Sequence, residues 1–218
     1  VLTIQLNKDQ KIFFTSDTHY GHKNICRGVS NWTGGLDKTR DFRTIDQMNA
    51  AIINGINQTV GQDDILVHLG DWSFGGFESI QEFRDRIICK NIYLILGNHD
   101  HHIENNRGNC QDLFKGVYQY TRLEVVRPIN SRIVEKFNFV LSHFPICSWH
   151  DMNKGNYHLF GHVHLPQDKK IMPGKSMDVG MDGNNLIPYE LREVVSILKD
   201  RPNKTSVIPQ DHHETEVR

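Results

Sequence analysis

Short apolar runs alternate with longer amphipathic stretches through the first half of the chain. Residues 11–16 (KIFFTS), 64–69 (DILVHL) and 91–96 (NIYLIL) are apolar enough to predict buried strands. Phe42, Ile45, Met48, Ile52, Ile53 and Ile56 recur at three- and four-residue spacing, which predicts a helix with one buried face. Residues 77–89 predict a second helix, with Phe83, Ile87 and Ile88 turned inward. The second half is richer in strands: residues 123–128, 132–137 and 139–142, separated by Asn130-Ser131 and by Asn138, and then 157–160. Pro188 suits the first turn of a closing helix whose apolar face is Leu191, Val194, Val195 and Leu198. The alternation predicts an α/β layered domain over residues 1–200, with a polar, proline-interrupted tail over 201–218.

Residues able to bind metal stand where the apolar runs stop. Five short blocks are rich in Asp, Asn and His: Asp17-Thr18-His19, Gly70-Asp71, Gly97-Asn98-His99-Asp100, Ser142-His143 and Gly161-His162-Val163-His164. One histidine beside a strand is usually a hydrogen-bonded structural residue, so no block carries the argument alone. Together they supply carboxylate, amide and imidazole donors and no thiolate, a set suited to Mn, Fe or Zn rather than to a cysteine-based structural zinc. If the strand geometry continues through D-x-H and H-x-H, alternate side chains share a face, so Asp17 can reach one ion with His19, and His162 shares that geometry with His164. Loops at the carboxyl ends of strands are where open α/β sheets place their sites.

The ordered blocks DTH, GD, GNHD, SH and GHVH resemble those of the calcineurin-like metallophosphoesterase superfamily, over roughly residues 11–185. The resemblance implies a four-layer α/β/β/α sandwich, two β-sheets flanked by helices, with a dinuclear centre at the sheet ends. It implies that Asp17, His19 and His164 hold one cation, that Asn98, His143 and His162 hold the other, and that Asp71 bridges them. Manganese is the first expectation, with Fe, Zn or Ni as alternatives. A hydroxide shared by the ions would attack phosphorus in line, without a covalent phosphoenzyme. His99 would protonate the leaving oxygen, oriented by Asp17, and Asp100 would be structural. The protein phosphatases of the superfamily continue the second block into a VDRG-like segment and read GNHE in the third. Here Trp72-Ser73-Phe74 follows Asp71 and the third block ends in Asp100, so the chain looks closer to small stand-alone bacterial or phage members.

Several residues carry two readings. His22, with Asn24 and Arg27, is a candidate contact for the substrate phosphate; the alternative is a polar loop supporting His19. Trp72, Phe74 and Phe77 read as core, with stacking against a base or phenyl leaving group as the alternative. Trp149 and His150 either shape specificity or pack their loop. His101 and His102 read as an exposed helix start, Asp178 and Asp182 as architectural, and His212 and His213 as an exposed end.

Composition narrows the partner. The net charge of -1 lacks the basic excess of a protein that grips a long polyanion, so a small phosphorylated substrate is expected ahead of nucleic acid. A nuclease remains the alternative, with Lys169, Lys170 and Lys175 as its local patch. A non-catalytic scaffold would be expected to lose ligands, whereas all are present here. Hydrophobic residues make up 38% of the chain without a membrane-spanning run. The four cysteines, Cys26, Cys89, Cys110 and Cys147, form no CxxC pair. Free thiols in a reducing cytoplasm are expected, and Gln5, Asn7, Lys8 and Asp9 interrupt what a secretion signal would need to keep apolar.

Overall fold

The computed structural model describes residues 1–35, 38–130 and 132–203. The three expected strands form as β2 (Ile12–Thr15), β3 (Ile65–His68) and β4 (Asn91–Ile95), parallel and in that order, with β5 (Gly116–Tyr118) beside β4. Every residue of β2 and β3 is buried, as expected of parallel strands covered on both faces. A second sheet of six strands has the order β1 (Leu2–Gln5), β6 (Tyr120–Pro128), β7 (Val134–Ser142), β8 (Tyr157–Phe160), β10 (Ser176–Asp178) and β9 (Ile171–Met172).

The sheets pack face to face. Phe14, Val67 and Leu69 from the first meet Leu123, Phe139, Leu159 and Met177 from the second in one buried cluster, and the Phe14 and Phe139 rings lie 5.2 Å apart. On the other face of the first sheet, Phe13, Leu66 and Ile92 pack against α1 (Ile45–Thr59) and α2 (Phe77–Arg86) through Met48, Ile52, Ile56, Ile80 and Phe83. Thr44 starts α1 by accepting the Gln47 N–H at 3.3 Å. Each fully buried aliphatic or aromatic side chain contributes about 2 kcal/mol, so the two clusters fix the strands whose ends carry the loops below. The expected α/β sandwich, two sheets flanked by helices, is the architecture observed.

Some boundaries differ from expectation. α2 stops at Arg86, and Ile87 turns extended, so Ile87 is buried but Ile88 is 49% exposed rather than inward. β7 runs unbroken through Asn138, which pairs with Glu124 on β6 at a position where both face away from the core. Pro188 does not open the last helix: Tyr189–Glu190 (β11) first pairs antiparallel with β2, and α4 (Leu191–Leu198) begins after it. Proline suits the entry to a short edge strand because it has no N–H to leave unpaired. β1 was not expected. Its Ile4, with Leu6 beyond it, is buried in the inter-sheet cluster, while Thr3 and Gln5 face outward. Within the expected tail, Arg201 donates to the Met172 and Gly174 carbonyls and Asn203 to that of Asn153; residues 204–218, with His212 and His213, lie outside the described residues. Among the described residues, no helix is long and apolar enough to cross a membrane.

Candidate metal centre

The loops leaving β2 and β3 are joined by backbone hydrogen bonds, from Asp17 N to Gly70 O at 2.9 Å and from His19 N to Asp71 O at 3.0 Å. Their backbone is not extended. Asp17 (φ 57°), His19 (48°), Asp71 (58°), His162 (72°) and His164 (48°) are all left-handed, so the alternating-face argument for D-x-H and H-x-H is replaced by a coiled turn that curls both donors inward. Such residues cost about 1–2 kcal/mol each, least for Asp, Asn and His. Glycines precede the donors because the chains approach closely. A side chain at Gly97 would strike the Asp71 carboxylate, and one at Gly161 would strike the Ser16 hydroxyl.

Three groups of side chains result, each with donor atoms within 4.8 Å of one another: Asp17, His19 and His164; His19, Asp71 and His99; Asp71, His143 and His162. Asn98 joins the last through Oδ1, 3.1 Å from His143 Nε2. Asp71 is central. Its Oδ1 accepts the His99 backbone N–H at 2.9 Å, while Oδ2 lies 3.5 Å from both His19 Nε2 and His143 Nε2. All seven expected ligands therefore converge, with Asp71 shared between two groups.

The ring orientations suit metal binding. Taken as donors, His164 Nδ1 reaches Asp182 at 2.6 Å and His143 Nδ1 reaches the Leu69 carbonyl at 2.7 Å, which turns both Nε2 atoms toward the carboxylates. His164 Nε2 faces His19 Nε2 at 3.1 Å, so a single proton or a cation can stand between the two nitrogens. Burial opposes a charge on His143, but the Asp71 hydrogen bond and the Asp17 carboxylate outweigh it and raise its imidazole to about 9. The same carboxylates that hold a proton there attract a divalent cation. Burial raises the Asp17 carboxyl, whereas Asp71 is held well below the ordinary range because His143 and His19 overcome its burial.

Behind these ligands stands a support that the sequence did not reveal. Arg40, 7% exposed, pairs with Asp182 through Nε at 2.7 Å and Nη2 at 3.0 Å, and donates to the Asp17 and Thr18 carbonyls at 2.6 and 2.8 Å. Arg40 and His164 overcome burial and hold the Asp182 carboxyl well below its ordinary value. Asp182, expected to be architectural, thus orients His164, one of the expected ligands. Asp100 has the expected structural role, accepting N–H groups from Asp71, Trp72 and Gly97 at 2.8–3.0 Å.

His99 sits at the mouth with 38% of its side chain exposed. Its carboxylate neighbour is Asp71, 4.0 Å from Nε2, and not the expected Asp17, whose oxygens accept the His162 N–H at 2.9 and 3.1 Å. His22 reaches the site: its ring lies 5.3 Å from His19 and 6.1 Å from His99, and burial lowers its pKa to about 4. Asn24 and Arg27 are committed elsewhere, Asn24 to the Asn31 N–H and Arg27 to Thr39 and Asp41. Trp72 is fully buried and Phe77 packs on the core, as expected, but Phe74 is 44% exposed and stacks on His22. Trp149 packs its loop against Val140, His150 is exposed, and His101 opens α3 (His101–Glu104) in solvent.

The family model of the calcineurin-like phosphoesterases matches residues 10–215. The chain belongs to that family. Membership in the calcineurin-like phosphoesterases carries metal-dependent hydrolysis of phosphate esters as the chemistry of this site. Gene 66 protein of Mycobacterium phage D29 is 27% identical over 210 residues, covering 87% of this chain and 98% of its own. An uncharacterised protein of the archaeon Methanocaldococcus jannaschii is 26% identical over 196 residues, covering 87% and 92%. A crystal structure of an Aquifex aeolicus protein of unknown function superposes with a TM-score of 0.60 at 20% identity, over 87% of this chain and 100% of that one, a likeness of fold.

Proposed function

We propose that this calcineurin-like phosphoesterase hydrolyses a small phosphodiester or phosphomonoester with two divalent cations, manganese first among them. Asp17, His19 and His164 would hold one and Asn98, His143 and His162 the other, with Asp71 between. The observation that carries this reading is the two-sided position of Asp71 Oδ2, equidistant from a histidine of each group. Two such cations supply charge neutralisation at phosphorus and a water acidic enough to react near neutral pH.

The chain's own residues do the rest. A water that has given up a proton to solvent adds to phosphorus opposite the leaving oxygen, and the bond to that oxygen breaks. His99, exposed at the mouth and anchored through its N–H to Asp71, delivers a proton from its imidazole to the leaving oxygen. His22 flanks His19 on the substrate side. A nuclease reading has less support, because Lys170 and Lys175 lie over the Tyr189 and Tyr157 rings at 4.6 and 5.7 Å rather than forming an open patch.

The test is turnover of bis-p-nitrophenyl phosphate and p-nitrophenyl phosphate after chelation and reloading with Mn, Fe, Zn or Ni. Turnover should vanish on chelation and return with manganese. His99→Ala should lower kcat about 10²–10⁴-fold while still binding the metal. A His99→Ala variant as fast as wild type removes the acid role, and metal-independent turnover removes the reading as a whole.

A further inference from the structure

Two exposed aromatic side chains flank the centre at opposite ends. Phe144, 49% exposed, packs against His162 and His143 with ring centroids 4.6 and 5.1 Å away. Phe74, 44% exposed, stands 5.6 Å from His99. An isolated exposed phenylalanine is unremarkable, but Phe74 is held out by its surroundings. Its N–H donates to the Tyr20 carbonyl at 2.7 Å, its carbonyl accepts from Ser79 Oγ at 3.3 Å, and Gly75 follows at φ 137°. His22 stacks on it at 4.0 Å with the planes 7° apart, although His22 Nδ1 is left buried without a partner. Trp32, 41% exposed, presents an edge to His22 at 6.3 Å and extends the aromatic surface outward.

A proton donor must stand beside the leaving oxygen. The group attached to that oxygen therefore lies on the His99 side of the centre, which is the side of Phe74 and not of Phe144. A flexible aliphatic or strongly hydrated leaving group gains little from a preformed stack of flat rings, whereas a planar ring gains a face of matching shape. Building on the hydrolase reading above, we propose that Phe74, backed by His22 and edged by Trp32, is the platform for the leaving group, and that the substrates are phosphate esters whose leaving group carries a flat aromatic ring.

Non-hydrolysable phosphonates test this without turnover. Calorimetric titration of the manganese-loaded protein with phenyl-, cyclohexyl- and methylphosphonate should rank them in that order, phenyl binding about tenfold tighter than methyl and several-fold tighter than cyclohexyl. Phe74→Leu, which keeps apolar bulk but removes the ring, should bring phenyl and cyclohexyl together; Phe144→Leu should keep them apart. Equal binding of phenyl and cyclohexyl by wild type overturns the platform while leaving the hydrolase reading intact. A preference that survives Phe74→Leu, or one lost in Phe144→Leu, also overturns it. Binding of manganese but of no phosphonate removes the hydrolase reading and the platform with it.

Discussion

The two halves of the centre are built differently. Around Asp17, His19 and His164 the support is a buried arginine pinned to a carboxylate, with further hydrogen bonds from that arginine to the loop backbone. Around Asn98, His143 and His162 the exposure is greater: Asn98 and His162 are open to solvent, and His143 leans on one carbonyl. The loop that follows His143 is held by a neutral histidine, His158, whose Nε2 accepts the Ile146 N–H at 3.2 Å while Nδ1 donates to Val140 O at 3.0 Å. Apart from the central Asp17 and Asp71 carboxylates, one half is braced by ionic contacts and the other by uncharged ones. The contrast teaches that the two cations proposed for this cleft need not be held equally, and that the braced half should fill first.

Stepwise manganese titration measures that inequality directly, and Asp71→Asn should perturb it most. Asn tolerates the left-handed backbone, so the fold should survive while both binding steps collapse; retention of either step would remove Asp71 from its shared position. Next in size, Arg40→Met should weaken the first step about 10–100-fold and spare the second. Loss of a buried ion-pair partner also lowers stability, so the deciding readout is the ratio of the two binding constants, with partial rescue expected in Arg40→Lys. A uniform loss in both steps would mean that Arg40 only holds the fold.

Acid should separate the halves in another way. Burial lowers the His158 pKa from 6.5 to about 4, so the unfolded chain takes up that proton first. Its contribution is complete above the unfolded value and is lost as pH falls toward the folded one. Integration between pH 7 and 5 gives about 2 kcal/mol. Denaturant titrations of wild type and His158→Gln should show the acid-side loss smaller by that amount in the variant, and parallel profiles would refute it. The smallest effect is expected at Asn98: truncation to Ala should weaken only the second step, about tenfold or less, because water can replace an exposed amide oxygen.

Much of this was legible from local sequence. Each of the three parallel strands is an apolar run closed by polar residues, and burial on both faces enforces that pattern. The donors were legible because Gly-Asp, Gly-Asn and Gly-His join a tight approach to a ligand in consecutive residues. Arg40 and Asp182 were not, since they are 142 positions apart and pair only after folding. A buried arginine within an otherwise polar loop has no periodicity to reveal it. Asp17 could be read as a ligand but not as separate from His99, because which carboxylate meets that ring depends on how the β2 and β3 loops join. Phe74 read as core for a similar reason: of its apolar neighbours Trp72 is buried and Phe77 packs on the core, and Phe74 itself is exposed just before the turn at Gly75.

The left-handed turns restrict what mutation can reach. At Asp17, His19, Asp71, His162 and His164 a replacement must satisfy both the proposed cations and an uncommon backbone, and the side chains that do either well are few. In a saturation scan scored for folding alone, glycine and asparagine should survive at these positions, while valine and isoleucine should fail because a β-branched side chain resists a positive φ. The alphabet available to drift at this centre is thus set by the main chain as much as by the chemistry.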